Sequence, residues 1–151
     1  MWRGDGTKLT GSYGTWKGRE VELRVGVPED GMFTVIQDGG ERPSAEWERL
    51  DLPNRFARGP VRFYLHVPAD EVSDVHRIRA TATWDYEPLN VVAEDGNGNL
   101  AVETLGQWSR DRMGTLVRNY GFEWYDNAFV FGWIPASDVS DLTFERRDRK
   151  R

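Results

Sequence analysis

Polar and apolar residues alternate through Glu20-Val21-Glu22-Leu23-Arg24-Val25, which places Val21, Leu23 and Val25 on one face of a half-buried strand. Asp30-Gly31 is a tight-turn dipeptide ahead of a second apolar run, Met32–Ile36, and the pair reads as a hairpin. Asn97-Gly98 stands in the same way between Leu89–Ala93 and Leu100–Thr104. Helical spacing follows at Met113, Leu116, Val117 and Tyr120, with Ser109 placed to cap the start and Gly121 to end it in a left-handed conformation. A shorter helix is expected over Ser44–Leu52, with Trp47 and Leu50 on one face and Pro53 as the stop. Strands return at Val61–Val67, with Phe63, Leu65 and Val67 inward, and at Ala128–Ile134, with Phe129, Phe131 and Trp133 inward. Pro68 and Pro135 end them, a single turn follows, and short strands Asp74–Arg79 and Asp141–Glu145 close each half.

The halves repeat. Val67-Pro68-Ala69-Asp70-Glu71-Val72-Ser73-Asp74-Val75 matches Ile134-Pro135-Ala136-Ser137-Asp138-Val139-Ser140-Asp141-Leu142 at five of nine positions, 67 residues apart. The same offset aligns the two turn dipeptides, and an offset of 68 aligns Thr15-Trp16 with Thr83-Trp84. The expected organisation is a flexible leader (1–10), two tandem copies (11–78 and 79–146) and a basic tail (147–151). Each copy is small for an isolated core, and the junction His76–Trp84 alternates like a strand, so a continuous strand is expected to join the copies as one rigid body. The fold class is mainly β, a β-rich α+β arrangement of two small barrel-like repeats, each with a short helix after its first hairpin.

Two known patterns bear on that arrangement. Ala82-Thr83-Trp84-Asp85-Tyr86-Glu87-Pro88 resembles the opening motif of Src-homology-3 domains, and Gly132-Trp133-Ile134-Pro135-Ala136-Ser137-Asp138-Val139 resembles their closing motif. The resemblance implies a bent barrel of about five strands with a one-turn helix before the last, and a proline-peptide groove at Trp84, Tyr86 and Pro135. Asp138 stands where that family has a tyrosine, and Trp16-Lys17-Gly18 replaces the aromatic-acidic run in the first copy. More loosely, Gly121-Phe122-Glu123 and Trp133-Ile134-Pro135 resemble segments of small duplicated actinobacterial proteins associated with immunity to polymorphic toxins. That resemblance implies a small cytoplasmic protein that occludes a toxin's active site.

Composition narrows the function. The 151 residues contain no cysteine, which removes disulfide scaffolds and thiol chemistry. Neither a secretory leader nor an apolar run of about 18 residues occurs, so a soluble cytoplasmic protein is expected, with no membrane partner. Net charge is −5, and it becomes −9 when Arg146–Arg151 is set aside as a solvated tail. An acidic body repels phosphate backbones and suits a basic protein, so a protein partner is expected and nucleic acid is not.

Catalytic patterns are sparse. His66 and His76 are the two histidines, and His66 would need Asp70 or Glu71 to orient it as a base. Asp95-Gly96-Asn97-Gly98-Asn99 lacks the distal bidentate glutamate of a calcium loop. No cofactor, metal or catalytic set is expected; a small hydrolase using two carboxylates is the remaining enzymatic alternative. Aromatic residues point elsewhere. Trp124, Tyr125 and Asp126 fall in a polar, turn-like segment where exposed rings beside acids would form a binding hot spot, unless Trp124 folds back onto the preceding helix. Trp84, Asp85, Tyr86 and Glu87 are expected to join that partner-binding surface.

Overall fold

A computed structural model describes residues 1–51, 56 and 61–149. Two compact units emerge: Met1, Gly11–Ile78 and Arg146–Arg151 form the first, Trp2–Thr10 and Arg79–Glu145 the second. The strands are β1 (Gly11–Trp16), β2 (Arg19–Leu23), β3 (Met32–Asp38), β4 (Glu48–Asp51), β5 (Val61–Pro68), β6 (Val72–Trp84), β7 (Glu87–Glu94), β8 (Asn99–Thr104), β9 (Glu123–Tyr125), β10 (Phe129–Pro135) and β11 (Ser140–Asp148). One α-helix, α1 (Arg110–Tyr120), occurs among the described residues, so the chain is mainly β. No helix among those residues is long and apolar enough to cross a membrane.

The first unit pairs its strands in the order β6-β1-β2-β3-β5-β4, and the second in the order β11-β6-β7-β8-β10-β9. Strand for strand these are the same order. A one-turn helix precedes the last strand in each, Ala69–Glu71 before β6 and Ala136–Asp138 before β11. Strand β6 runs unbroken through the junction, its residues to Ile78 belonging to the first unit and those from Arg79 to the second.

Alternation in β2 works as expected: Val21 and Leu23 are buried and Arg19 and Glu20 exposed, although the strand ends before Val25. With Trp16, Phe33, Val35, Trp47, Phe63 and Val67 they form the first core. Each such side chain contributes roughly 1.5–3 kcal/mol on burial. In the second unit Leu89, Val91, Leu100 and Val102 meet Met113 and Leu116 of α1. That helix has its expected ends: the Ser109 hydroxyl accepts from the Arg112 N–H at 3.2 Å, and Gly121 adopts φ 73°.

Four expectations need correction. The helix over Ser44–Leu52 is absent from the described part of that segment. Glu48–Asp51 is strand β4, paired with β5, and Leu50 is 47% exposed while Trp47 alone is buried. Leu52 and Pro53 lie outside the described residues. The i, i+3 pair Trp47/Leu50 fits one helical turn, but the ladder to β5 satisfies the backbone polar groups of the segment without it. In β10 the face is reversed. Val130 and Ile134 enter the second core, whereas Phe129, Phe131 and Trp133 lie on the other side, where Phe131 is buried as expected and Phe129 and Trp133 are only half-buried. Because side chains alternate, shifting the phase by one residue moves the whole set. Gly132 explains the choice, since a Cβ there would stand 2.5 Å from the Phe122 ring that packs over it.

The leader and the described part of the tail also fold in. Leu9 is fully buried in the second core, and Arg3 Nε donates to Glu94 at 2.6 Å. At the other end Arg146 bridges Asp74 and Asp148 at 2.6 and 2.8 Å, and the Arg149 N–H donates to the Val75 carbonyl. Setting the basic residues aside is therefore unjustified. Counted by unit, the first holds 14 basic and 13 acidic residues and the second 6 basic and 12 acidic, so the acidity belongs to the second.

Candidate functional site

Strands β6 and β7 are joined by two residues, with Trp84 and Glu87 as the closing pair. Asp85 and Tyr86 both take positive φ, 46° and 67°, the geometry that a tight hairpin between twisted strands demands. For a tyrosine this is costly, because Cβ crowds the backbone in the left-handed region. The Tyr86 side chain recovers nothing by burial: it is 96% exposed.

The rest of the hairpin is held firmly. Arg112 in the first turn of α1 donates to the Asp85 carboxylate at 2.7 Å and to the Asp85 carbonyl at 2.6 Å. Its guanidinium lies 5.2 Å from the centre of the Trp84 ring and 4.0 Å from Glu87. Trp84 stacks on Trp108 at 6.1 Å and donates from Nε1 to the Tyr120 hydroxyl, which donates to Asp138 at 2.9 Å. Burial, with the Asp138 carboxylate beside it, pushes the Tyr120 hydroxyl above the ordinary phenol range.

The expected hot spot at Trp124–Asp126 is a strand and a turn. In β9, Trp124 faces Val130 across the β9–β10 pair and packs against the core, under Arg110, whose guanidinium lies 4.9 Å from its ring centre. Tyr125 points to the other side, 49% exposed and stacked on Phe129 at 4.9 Å. Asp126 turns the chain at φ 48°. The first turn of α1 thus touches both clusters, Arg112 at the Trp84–Glu87 hairpin and Arg110 at Trp124. Within this surface Tyr86 and Tyr125 present rings to solvent, while Trp84 and Trp124 serve the packing.

Pro135, grouped with Trp84 and Tyr86 by the resemblance, ends β10 opposite Asn99. The histidines have modest company. His66 is exposed, with Nδ1 2.9 Å from the Thr34 hydroxyl, and Glu71 instead accepts from the Trp16 ring at 3.3 Å. His76 is buried, its Nδ1 2.7 Å from the Asp74 carbonyl. The Asp95 carboxylate accepts from the backbone N–H groups of Asn97 and Asn99 and from the Asn99 side chain, so it organises its own hairpin.

Arg110, Arg112 and Trp108 were invisible to motif reading, and Tyr120 was legible only as part of the helical spacing. A signal for Tyr86 does exist in the chain: the offset of 68 places it on Gly18, and a glycine in one copy marks a position where the backbone is left-handed. No protein-family model, no curated protein and no solved structure matches the chain.

Proposed function

We propose that the chain is a non-catalytic binding protein that docks a basic protein through its second unit and acts by covering that protein's working surface, as a cytoplasmic immunity protein covers a bacterial toxin. In this reading it is built from two copies of one barrel-like unit, and the recurring strand order supports the duplication. The observation that carries the function is Tyr86. A large ring held in a disfavoured backbone conformation, almost wholly in water and flanked by Asp85 and Glu87, has no use within its own fold. Strain kept at an exposed aromatic tip fits a preformed anchor, because tyrosine brings large contact area with little rotamer entropy to lose. The surplus of six acidic residues in the same unit would steer a cationic partner toward it.

The test begins with the gene immediately upstream, where a secreted basic toxin is expected and its absence counts against this reading. The wild-type chain should bind and neutralise the toxin, with association slowing as salt rises. Tyr86→Gly keeps the turn and should weaken binding by about 2 kcal/mol or more. Equal affinity for a folded Tyr86→Gly variant, or a flat salt dependence, sinks this reading.

A further inference from the structure

The first unit holds a cleft of ≈ 360 Å³ whose lining includes Ser12, Glu22, Arg24, Gly26, Arg62 and Arg77. Three guanidiniums and one carboxylate line it, a local basic surplus in a unit whose charges otherwise nearly balance. Their commitments differ. Arg62 is fixed by Asp38, which accepts from its Nε at 2.6 Å and its Nη2 at 3.1 Å. Arg24 makes one exposed ion pair with Glu29 at 3.1 Å, of the kind that water and salt weaken readily. Arg77 makes no ion pair among the described residues and is exposed. Ser12 sits directly across from it in the β1–β6 register, and its hydroxyl is likewise uncommitted.

Glu22 is the one opposing charge. Burial raises its carboxyl above the usual range, and its oxygen lies 2.8 Å from the Met1 ammonium, so its charge is answered within the protein. The cleft is kept open by glycine: a Cβ on Gly26 would come within 3.2 Å of the Ser12 hydroxyl. No aromatic ring lines it, so a nucleobase would find nothing to stack on.

We propose that this cleft binds a phosphate-type oxyanion, either free phosphate or the phosphate monoester of a small hydroxylated molecule. Arg77 and Arg24 close on the oxygens and Ser12 donates a third hydrogen bond, while Arg62, its charge answered by Asp38, only walls the cleft. Guanidinium forks match phosphate oxygens bidentately, which favours this ligand over chloride. The site is independent of the toxin-binding reading, since it lies wholly in the first unit.

Amide NMR of the full chain, titrated with inorganic phosphate at constant ionic strength set by chloride, tests the proposal. Saturable shifts centred on Ser12, Gly26 and Arg77 are expected, at least tenfold weaker in Arg77→Gln and several-fold weaker in Ser12→Ala. A parallel titration with a hexose phosphate identifies the source: tighter binding than inorganic phosphate points to a monoester, equal or weaker binding to free phosphate. Shifts that never saturate, or that survive unchanged in a folded Arg77→Gln variant, overturn the site.

Discussion

The β1–β2 hairpin of the first unit and the β6–β7 hairpin of the second reverse the chain with the same two-residue turn. Lys17 and Gly18 take φ 49° and 76°, Asp85 and Tyr86 take 46° and 67°. One tip ends in glycine, the residue that left-handed backbone favours, and the other in tyrosine, which it penalises. Around the tyrosine the second unit adds α1, whose Arg112 clamps the turn. The first unit has no described helix between β3 and β4 and a near balance of charge. A common strand order therefore carries different surface chemistry at equivalent positions, and the differences show where one copy departed from what folding alone requires.

The largest difference lies inside, where α1 closes the second core. Leu116 is fully buried there. Leu116→Ala should cost about 2–5 kcal/mol, the range for emptying a buried leucine site. Denaturant unfolding measures it, and a loss below about 1 kcal/mol would mean that the strands form the core without the helix.

The hairpin tips test the comparison next. No heavy atom stands within 4 Å of a Cβ built at Gly18, so Gly18→Tyr changes little but backbone strain and should destabilise by about 1–2 kcal/mol. Tyr86→Gly should leave stability unchanged or raise it by up to about 1 kcal/mol, since relief of strain is offset in part by the freedom glycine adds to the unfolded chain. Thermal unfolding of the two variants checks both signs. A clear loss of stability in Tyr86→Gly would show that Tyr86 is structural after all.

These contrasts were unevenly visible in the chain. Helix α1 was legible because its signals are local: a capping serine, i, i+3, i+4 spacing and a terminal glycine within 13 residues. The face of β10 was not, because the larger side chains of Phe129, Phe131 and Trp133, of which only Phe131 is buried, outweigh Val130 and Ile134 until Phe122 is seen to occupy the space over Gly132. Trp47 and Leu50 misled in the opposite way, since one pair at helical spacing does not outweigh a ladder to β5 that pairs Leu50 with Arg62 and Glu48 with Tyr64, well outside any local pattern. At the candidate site, Asp85, Tyr86 and Glu87 could be picked out as an acidic aromatic run. Their bracing could not, because Arg112 reaches Asp85 across 27 residues and no short motif encodes such a contact.

The smallest expected effect separates the two inner hairpins. Asp30-Gly31 turns with both residues at positive φ and needs no side-chain acceptor, and Pro28 occupies the place that Asp95 holds in the other copy. The β7–β8 turn relies on Asp95, whose carboxyl is held below the usual range by the hydrogen bond from the Asn99 side chain and by the backbone N–H groups of Asn99 and Asn97. A carboxyl depressed in the folded state stabilises it fully above the unfolded value and loses that contribution as pH falls through the folded value. Acidification should therefore shift the Asn97 and Asn99 amides with a midpoint below the ordinary aspartate range, while the Gly31 and Met32 amides stay put. The group lies at the surface of a hairpin tip, so the change in global stability should be slight, and carboxyl NMR of Asp95 is the direct measure. Titration at or above the ordinary aspartate value, or equal shifts at both turns, would show that the two hairpins are held in the same way.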